Sequence, residues 1–220
     1  MPPRPTVRGV VFDLDGLMFN TERVFHLTGV EMLRRRGKPA PPEVFRGMVG
    51  RRAAEAWPVM IDMMGLSDTV EELQAEAREV FPPLMEEHLE PMPGLMPLLD
   101  AITSAGLPRA VATSSGRPYA LDLLGRYGLA GGFAAVLGAE DVERGKPHPE
   151  PYERACAAIG VAPGEALVLE DSEAGVASAK AAGAFAVAVP HEHSHGQTYD
   201  EADLVIDTLA DPRLRTVLGL

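Results

Sequence analysis

The chain has 220 residues, of which 46% are hydrophobic and 24% are charged, and its formal net charge is −12 at pH 7. These values are typical of a globular protein of one or two domains. The negative charge argues against nucleic-acid binding, which needs a basic surface. A single cysteine, Cys156, excludes an intramolecular disulfide. No apolar run reaches the ~18 residues of a membrane span, and residues 1–8 lack the apolar core of a secretion signal. We therefore expect a cytoplasmic enzyme, monomeric or weakly self-associating, without nucleic-acid or membrane partners.

The first predicted element is a buried strand over residues 7–13, a short β-branched run that ends in acids. Between about residues 20 and 90 the pattern changes to helical segments with no convincing strand. The predicted helices cover residues 23–36, 43–48, 51–64 and 69–88, and Pro58 is expected to break or restart the third. These segments indicate a four-helix module inserted after the first strand.

A stretch rich in proline at residues 90–94 is the predicted exit hinge, and helices and strands alternate beyond it. This alternation predicts βαβ units and an α/β fold with a doubly wound parallel sheet. We expect residues 1–19 and 92–220 to form the sheet domain and residues 20–91 the helical domain. The later helices are predicted over residues 95–105, 119–127, 149–159, 173–182 and 209–218, and the later strands over residues 107–113, 133–137, 166–170, 184–189 and 203–206.

Polar side chains follow several of the predicted strands, or lie in the loops between them. In a doubly wound sheet, ligands bind beyond the carboxyl ends of the strands, so these side chains are expected to share one edge. They are Asp13 and Asp15 after the first strand, Thr113, Ser114 and Ser115 after the second, Lys146 before the fourth, and Glu170 and Asp171 at its end.

The acids at this edge predict a magnesium site, because Mg²⁺ prefers hard oxygen ligands and keeps several waters. Asp13 and Asp171 come from neighbouring strand ends, and the backbone carbonyl of Asp15 is a third candidate ligand. Glu170 is expected to contribute directly or through water. We therefore expect Mg²⁺ as the cofactor.

The same residues suit phosphate-ester chemistry. Asp13 can attack phosphorus to give an aspartyl phosphate. Asp15 lies among other acids, which favour its protonated form, so it can protonate the leaving alcohol and then activate water. The Thr113 hydroxyl and the N–H groups of the residues that follow it, Ser114 and Ser115, can hold the phosphate oxygens. Lys146 adds a positive charge for the phosphate and for the nucleophile.

Four short motifs lie along the chain: Asp13-Leu14-Asp15-Gly16 with Thr21-Glu22, Thr113-Ser114, Lys146-Pro147, and Glu170-Asp171-Ser172 with Gly175. Together they resemble the motifs of the haloacid dehalogenase-like hydrolase superfamily. The resemblance covers nearly the whole chain and implies a Rossmann-like core, magnesium-dependent phosphoryl transfer through an aspartyl phosphate, and a cap domain. The helical module is similar to the four-helix cap of the phosphoglycolate phosphatase and β-phosphoglucomutase branch.

Gly16, within the first motif, is a predicted phosphate-binding position, and Asn20 stands where the family often carries Asp, which should change hinge contacts only. Arg51, in a Gly-containing loop of the cap, is the predicted substrate contact. The alternate histidines 191, 193 and 195 could bind zinc adventitiously, but their spacing fixes no closed site. We expect a phosphatase acting on a small phosphorylated metabolite, with a sugar phosphate favoured. A phosphomutase and a non-catalytic binding protein are the alternatives.

Overall fold

The computed structural model describes residues 6–48, 53–191, 194 and 196–220. The chain divides into two compact units. Of the described residues, the core unit contains 6–19, 91–191 and 196–220, and the helical unit contains 20–48, 53–90 and 194. Within the described residues, the helices are all too short or too polar to cross a membrane.

The core unit is built on a six-stranded sheet in which every neighbouring pair of strands is parallel. The strand order is β3-β2-β1-β4-β5-β6, with helices between the strands along the chain. This arrangement confirms the predicted α/β fold. The strands are β1 (Gly9–Phe12), β2 (Arg109–Ala112), β3 (Ala135–Leu137), β4 (Ala166–Glu170), β5 (Phe185–Ala188) and β6 (Leu204–Val205), and the helices are α5 (Leu95–Ser104), α6 (Arg117–Arg126), α7 (Glu150–Ala158), α8 (Glu173–Ala181) and α9 (Pro212–Leu218).

Strand β1 lies at the centre of the sheet, where the order of the strands reverses. Val10, Val11 and Phe12 have no exposed surface, and β2 and β4 pair with β1 on its two sides. The register places Phe12 opposite Val111 of β2 and Leu169 of β4. The residues that follow these three strands therefore meet at one edge, which is where ligands bind in a sheet of this kind.

The helical unit contains α1 (Thr21–Arg35), α2 (Pro42–Met48), α3 (Ala53–Met64) and α4 (Val70–His88). Its interior has two apolar clusters, one around Leu33, Phe45 and Met60 and another around Met32 and Leu73. The expectation that Pro58 breaks the third helix is wrong, because Pro58 lies inside α3. Proline removes one backbone hydrogen bond from a helix, but Trp57 and Met60 of the same helix both pack in the apolar cluster around Leu33.

The two ends of the helical unit are joined through Asn20. Its side-chain nitrogen donates to the carbonyl of His88 at 3.0 Å, and its side-chain oxygen accepts from the N–H of Glu90 at 2.7 Å. A carboxylate could accept at this position but could not donate, so the amide suits these two contacts. In the core unit, Phe19 and Pro91 form an antiparallel bridge directly outside these ends.

Candidate active site

Three buried acids meet where β1 and β4 end. Asp13, Glu170 and Asp171 are 6%, 0% and 8% exposed, and each offers an oxygen within 4.8 Å of the others. The pairing of β1 with β4 continues one residue beyond β1, because the N–H of Asp13 donates to the carbonyl of Leu169 at 2.9 Å. The backbone ladder thus brings Asp13 beside Glu170 and Asp171, as the sequence motifs led us to expect.

Lys146 is the cation that contacts this acid cluster. Its Nζ donates to Asp13 Oδ1, and to Glu170 Oε1 at 2.6 Å, and its side chain is 6% exposed. Burial by itself would lower the pKa of Lys146, but Asp13 and Glu170 hold that pKa well above its usual value. Lys146 is therefore a fixed positive charge between the two carboxylates.

One lysine does not neutralise three buried carboxylates. Burial raises the pKa of Asp13 well above its usual value, and the negative charges of Glu170, Asp171 and Asp15 raise it further, against the effect of Lys146. A buried charge must be paired, protonated or bound to metal. The excess of hard oxygen ligands here fits a divalent cation such as Mg²⁺.

The side chain of Glu170 is held by several hydrogen bonds at once. Burial disfavours its ionised form, but Lys146 and the hydrogen bonds lower its pKa below the usual value. Both carboxylate oxygens of Glu170 accept hydrogen bonds, so this side chain also connects Lys146, the end of β4 and the start of α8. Its five donors are Lys146 Nζ, the Tyr152 hydroxyl, the N–H groups of Asp171 and Ser172, and the Ser172 hydroxyl.

Tyr152 is a site residue that the sequence motifs do not reveal. It is fully buried on α7, its hydroxyl donates to Glu170 Oε1 at 2.5 Å, and the Lys146 ammonium lies 5.0 Å from its ring centroid. Burial raises the pKa of Tyr152 well above its usual value, and the charge of Glu170 adds to this effect. The phenol therefore remains a hydrogen-bond donor to Glu170.

Two glycines permit close packing around the acids. Gly175, in the first turn of α8, lies so close to Glu170 that an added Cβ would overlap its carboxylate. Gly16 has a φ of 76°, and a Cβ there would overlap Asp171 Oδ2 and lie 2.7 Å from His191 Nε2. The N–H of Gly16, the group that could bind a phosphate oxygen, donates to the Phe19 carbonyl at 2.9 Å.

Asp15 lies beside the cluster and accepts hydrogen bonds from three hydroxyl groups. Ser115 Oγ is 2.6 Å and Thr113 Oγ1 is 3.4 Å from Asp15 Oδ2, and the Tyr119 hydroxyl is 3.2 Å from Asp15 Oδ1. The N–H of Ser115 donates to Thr113 Oγ1 at 3.0 Å, whereas Ser114 is exposed. Ser115, predicted to bind phosphate, thus directs its hydroxyl to Asp15 in this structure.

His191, from the loop after β5, also reaches the site. Its Nε2 is 3.0 Å from Asp171 Oδ2, which places the imidazole against a predicted magnesium ligand. His193 and His195 lie outside the described residues, and so does Arg51, the predicted substrate contact. Ser172 caps α8, because its hydroxyl accepts from the N–H of Gly175 in the first turn of the helix.

Comparison with known families agrees with this geometry. A model of the family described as haloacid dehalogenase-like hydrolase matches residues 10–189. The chain belongs to this family. The predicted superfamily and the prediction that the chain is a hydrolase are thereby confirmed.

Several named proteins are similar to this member of the family over nearly their full length. The validoxylamine A 7'-phosphate phosphatase of Streptomyces hygroscopicus subsp. limoneus is 36% identical, with 92% of this chain and 94% of that protein aligned. Hexitol phosphatase A of Escherichia coli is 32% identical over 92% of this chain and 91% of that protein. The solved structure of CbbY from Rhodobacter sphaeroides with phosphate is 25% identical, has a TM-score of 0.79, and aligns over 97% of this chain and 100% of that one.

Proposed function

We propose that the protein is a magnesium-dependent phosphatase that hydrolyses a small sugar phosphate through an aspartyl phosphate on Asp13. The observation that carries this proposal is the buried group of Asp13, Glu170, Asp171 and Lys146, with Asp15 beside it. Relatives named as phosphatases, including a hexitol phosphatase, support phosphoric monoesters as the substrate class and sugar phosphates within it.

Asp13, Asp171 and the backbone carbonyl of Asp15 are the proposed Mg²⁺ ligands, with Glu170 as a further ligand, directly or through water. When bound, the ion screens the negative charge that the substrate phosphate brings to the acids. Lys146 screens the same charge from within the protein, because its position between Asp13 and Glu170 is fixed.

Asp13 is the proposed nucleophile. Its carboxylate oxygen attacks phosphorus, the bond between phosphorus and the substrate oxygen breaks, and the bonding electrons pass to that departing oxygen. Asp15 gives its proton to the departing oxygen, which leaves as an alcohol. Asp13 must be ionised to attack, and contact with Lys146 favours that form.

Asp15 acts again in the second step. It takes a proton from water as the water oxygen attacks phosphorus, the bond between phosphorus and Asp13 breaks, and inorganic phosphate is released. Thr113 and the exposed Ser114, in the loop between β2 and α6, are the proposed contacts of the phosphate oxygens. Arg51 is also proposed to contact the substrate, through its phosphate or its sugar hydroxyl groups.

The test is phosphate release from a panel of hexose phosphates, hexitol phosphates, phosphoglycolate and nucleotides with MgCl₂ present. The wild type should release phosphate from sugar phosphates, and Asp13→Asn should release none. Asp122→Asn, which removes an exposed acid paired with Arg126 on α6, is the matched control and should keep full activity. Full turnover by Asp13→Asn would contradict the proposal.

A second measurement addresses the aspartyl phosphate. Asp15→Asn lacks the group that activates water. With p-nitrophenyl phosphate, whose leaving group needs little help from a proton, the acid-quenched variant should therefore carry phosphate on the peptide that contains Asp13. Incubation with β-glucose 1-phosphate separates the alternatives, because a phosphomutase would form glucose 6-phosphate without free phosphate. Tight binding of a sugar phosphate without any turnover would indicate a binding protein.

A further inference from the structure

Tyr119 is a polar side chain at the site to which the steps above give no role. It belongs to the first turn of α6, directly after Pro118, and is partly buried. Its hydroxyl lies 3.2 Å from Asp15 Oδ1. Asp15 belongs to the loop after β1, so this contact joins two elements far apart in the chain at the group that transfers the proton.

The two oxygens of Asp15 have different surroundings. Oδ2 lies near two hydroxyl donors, Ser115 at 2.6 Å and Thr113 at 3.4 Å. Oδ1 receives the longer contact from Tyr119. Ser115 and Thr113 therefore lie on the Oδ2 side of the carboxyl group, and Tyr119 is the contact on the Oδ1 side.

A phenol hydroxyl can serve both states of this proton cycle. It donates a hydrogen bond to Oδ1 when Asp15 is ionised, and it can still donate to a lone pair of that oxygen when Asp15 is protonated, which leaves the carboxyl proton directed at the substrate. Tyr119 can therefore keep Asp15 in one orientation before and after the proton is transferred. It gains and loses no proton itself.

We propose that Tyr119 is a positioning residue that fixes the rotation of the Asp15 carboxyl group, so that Oδ1 presents its proton to the departing oxygen of the substrate. This inference rests on the proposed phosphatase function. It assigns Tyr119 to one part of the reaction, the protonation of the leaving group. Ser115 holds the opposite oxygen of Asp15 and completes the orientation.

The experiment compares leaving groups. p-Nitrophenolate departs with little help from a proton, whereas a sugar alkoxide needs one. The quantity to measure is kcat/KM, because it covers the steps up to departure of the leaving group and omits the later hydrolysis of the aspartyl phosphate. The substrates are p-nitrophenyl phosphate and the sugar phosphate of the panel on which the wild type is most active.

Tyr119→Phe keeps the aromatic ring and removes the hydroxyl. It should lower kcat/KM for the sugar phosphate by at least about tenfold more than for p-nitrophenyl phosphate. Loss of folded protein or of metal affinity would lower both values by the same factor. Tyr127→Phe, at the opposite end of α6, is the matched control and should leave the ratio of the two values unchanged.

A double-mutant cycle completes the test. In an Asp15→Asn background, Tyr119→Phe should cause no further selective loss, because the proton that it positions is already absent. An equal loss on both substrates, or the same selective loss without Asp15, would overturn the inference while leaving the phosphatase proposal intact. A wild type inactive on every ester would refute the proposed function, and the inference with it.

Discussion

Gly175 offers a direct test of how tightly the acid cluster is packed. A Cβ at this position would overlap Cδ and both carboxylate oxygens of Glu170, and Glu170 is fully buried. The carboxylate cannot move aside without breaking its hydrogen bonds with Lys146, Tyr152 and the start of α8. Gly175→Ala should therefore destabilise the protein and lower its activity.

The size of the effect follows from these contacts. Overpacking a buried position costs about 1–3 kcal/mol, and the loss of one hydrogen bond to a charged group costs about 1.5–3 kcal/mol more. We therefore expect Gly175→Ala to lower the free energy of unfolding by about 2.5–6 kcal/mol. With an m-value of about 2 kcal/mol/M, the urea midpoint should fall by about 1.25–3 M.

Gly125 provides the matched control, because it also lies in a helix, α6, and an added Cβ would have no neighbour within 4 Å. Gly125→Ala should be neutral or stabilise the protein by up to about 1 kcal/mol, since alanine favours the helix. Urea unfolding followed by circular dichroism measures both variants. If Gly175→Ala unfolds at the same urea concentration as the wild type, the packing described for Glu170 is wrong.

Three further results are expected. Mg²⁺ at 100 times its Kd should stabilise the wild type by about 2.7 kcal/mol, which is measured as a rise in Tm. The same addition should raise the Tm of Asp171→Asn very little. Equal rises in the two proteins would place the ion elsewhere. Tyr152→Phe should lower the free energy of unfolding by about 1.5–3 kcal/mol, because Glu170 loses a buried donor; an unchanged urea midpoint would show that this bond contributes nothing. Burial raises the pKa of Cys156 to about 11, so this fully buried thiol stays protonated and should resist Ellman's reagent at pH 8 until urea unfolds the chain; rapid reaction of the folded protein would contradict its burial.

The parts of the site that lie at strand ends could be predicted from the sequence. Asp13, Glu170 and Asp171 follow strands that the hydrophobic pattern reveals, and parallel strands bring their ends together. Lys146 was predicted from its place before β4 and from the need for a positive charge near the proposed nucleophile, Asp13. In the structure it contacts both Asp13 and Glu170.

Other contacts depend on information that the pattern does not contain. Tyr119 and Tyr152 reach the site from helices, and which side of a helix faces the sheet edge depends on its rotation about its own axis. His191 reaches Asp171 because of the path of the loop after β5, and no short-range pattern sets that path. The contact of Ser115 with Asp15 could not be predicted either, since the turn before α6 directs its hydroxyl to that carboxylate.

The bridge between Phe19 and Pro91 has a consequence for how this protein can change over evolutionary time. The chain leaves the core unit at one point and returns beside it, and the N–H of Met92 donates to the carbonyl of Met18 at 2.8 Å. For the sheet, the helical unit is equivalent to a long hairpin loop, and the entropic cost of closing such a loop grows only slowly with its length. Insertions, deletions or a whole exchanged domain can therefore be accepted between these two residues while the strands that carry the acids keep their register. Selection can act on the inserted segment and on the sheet separately.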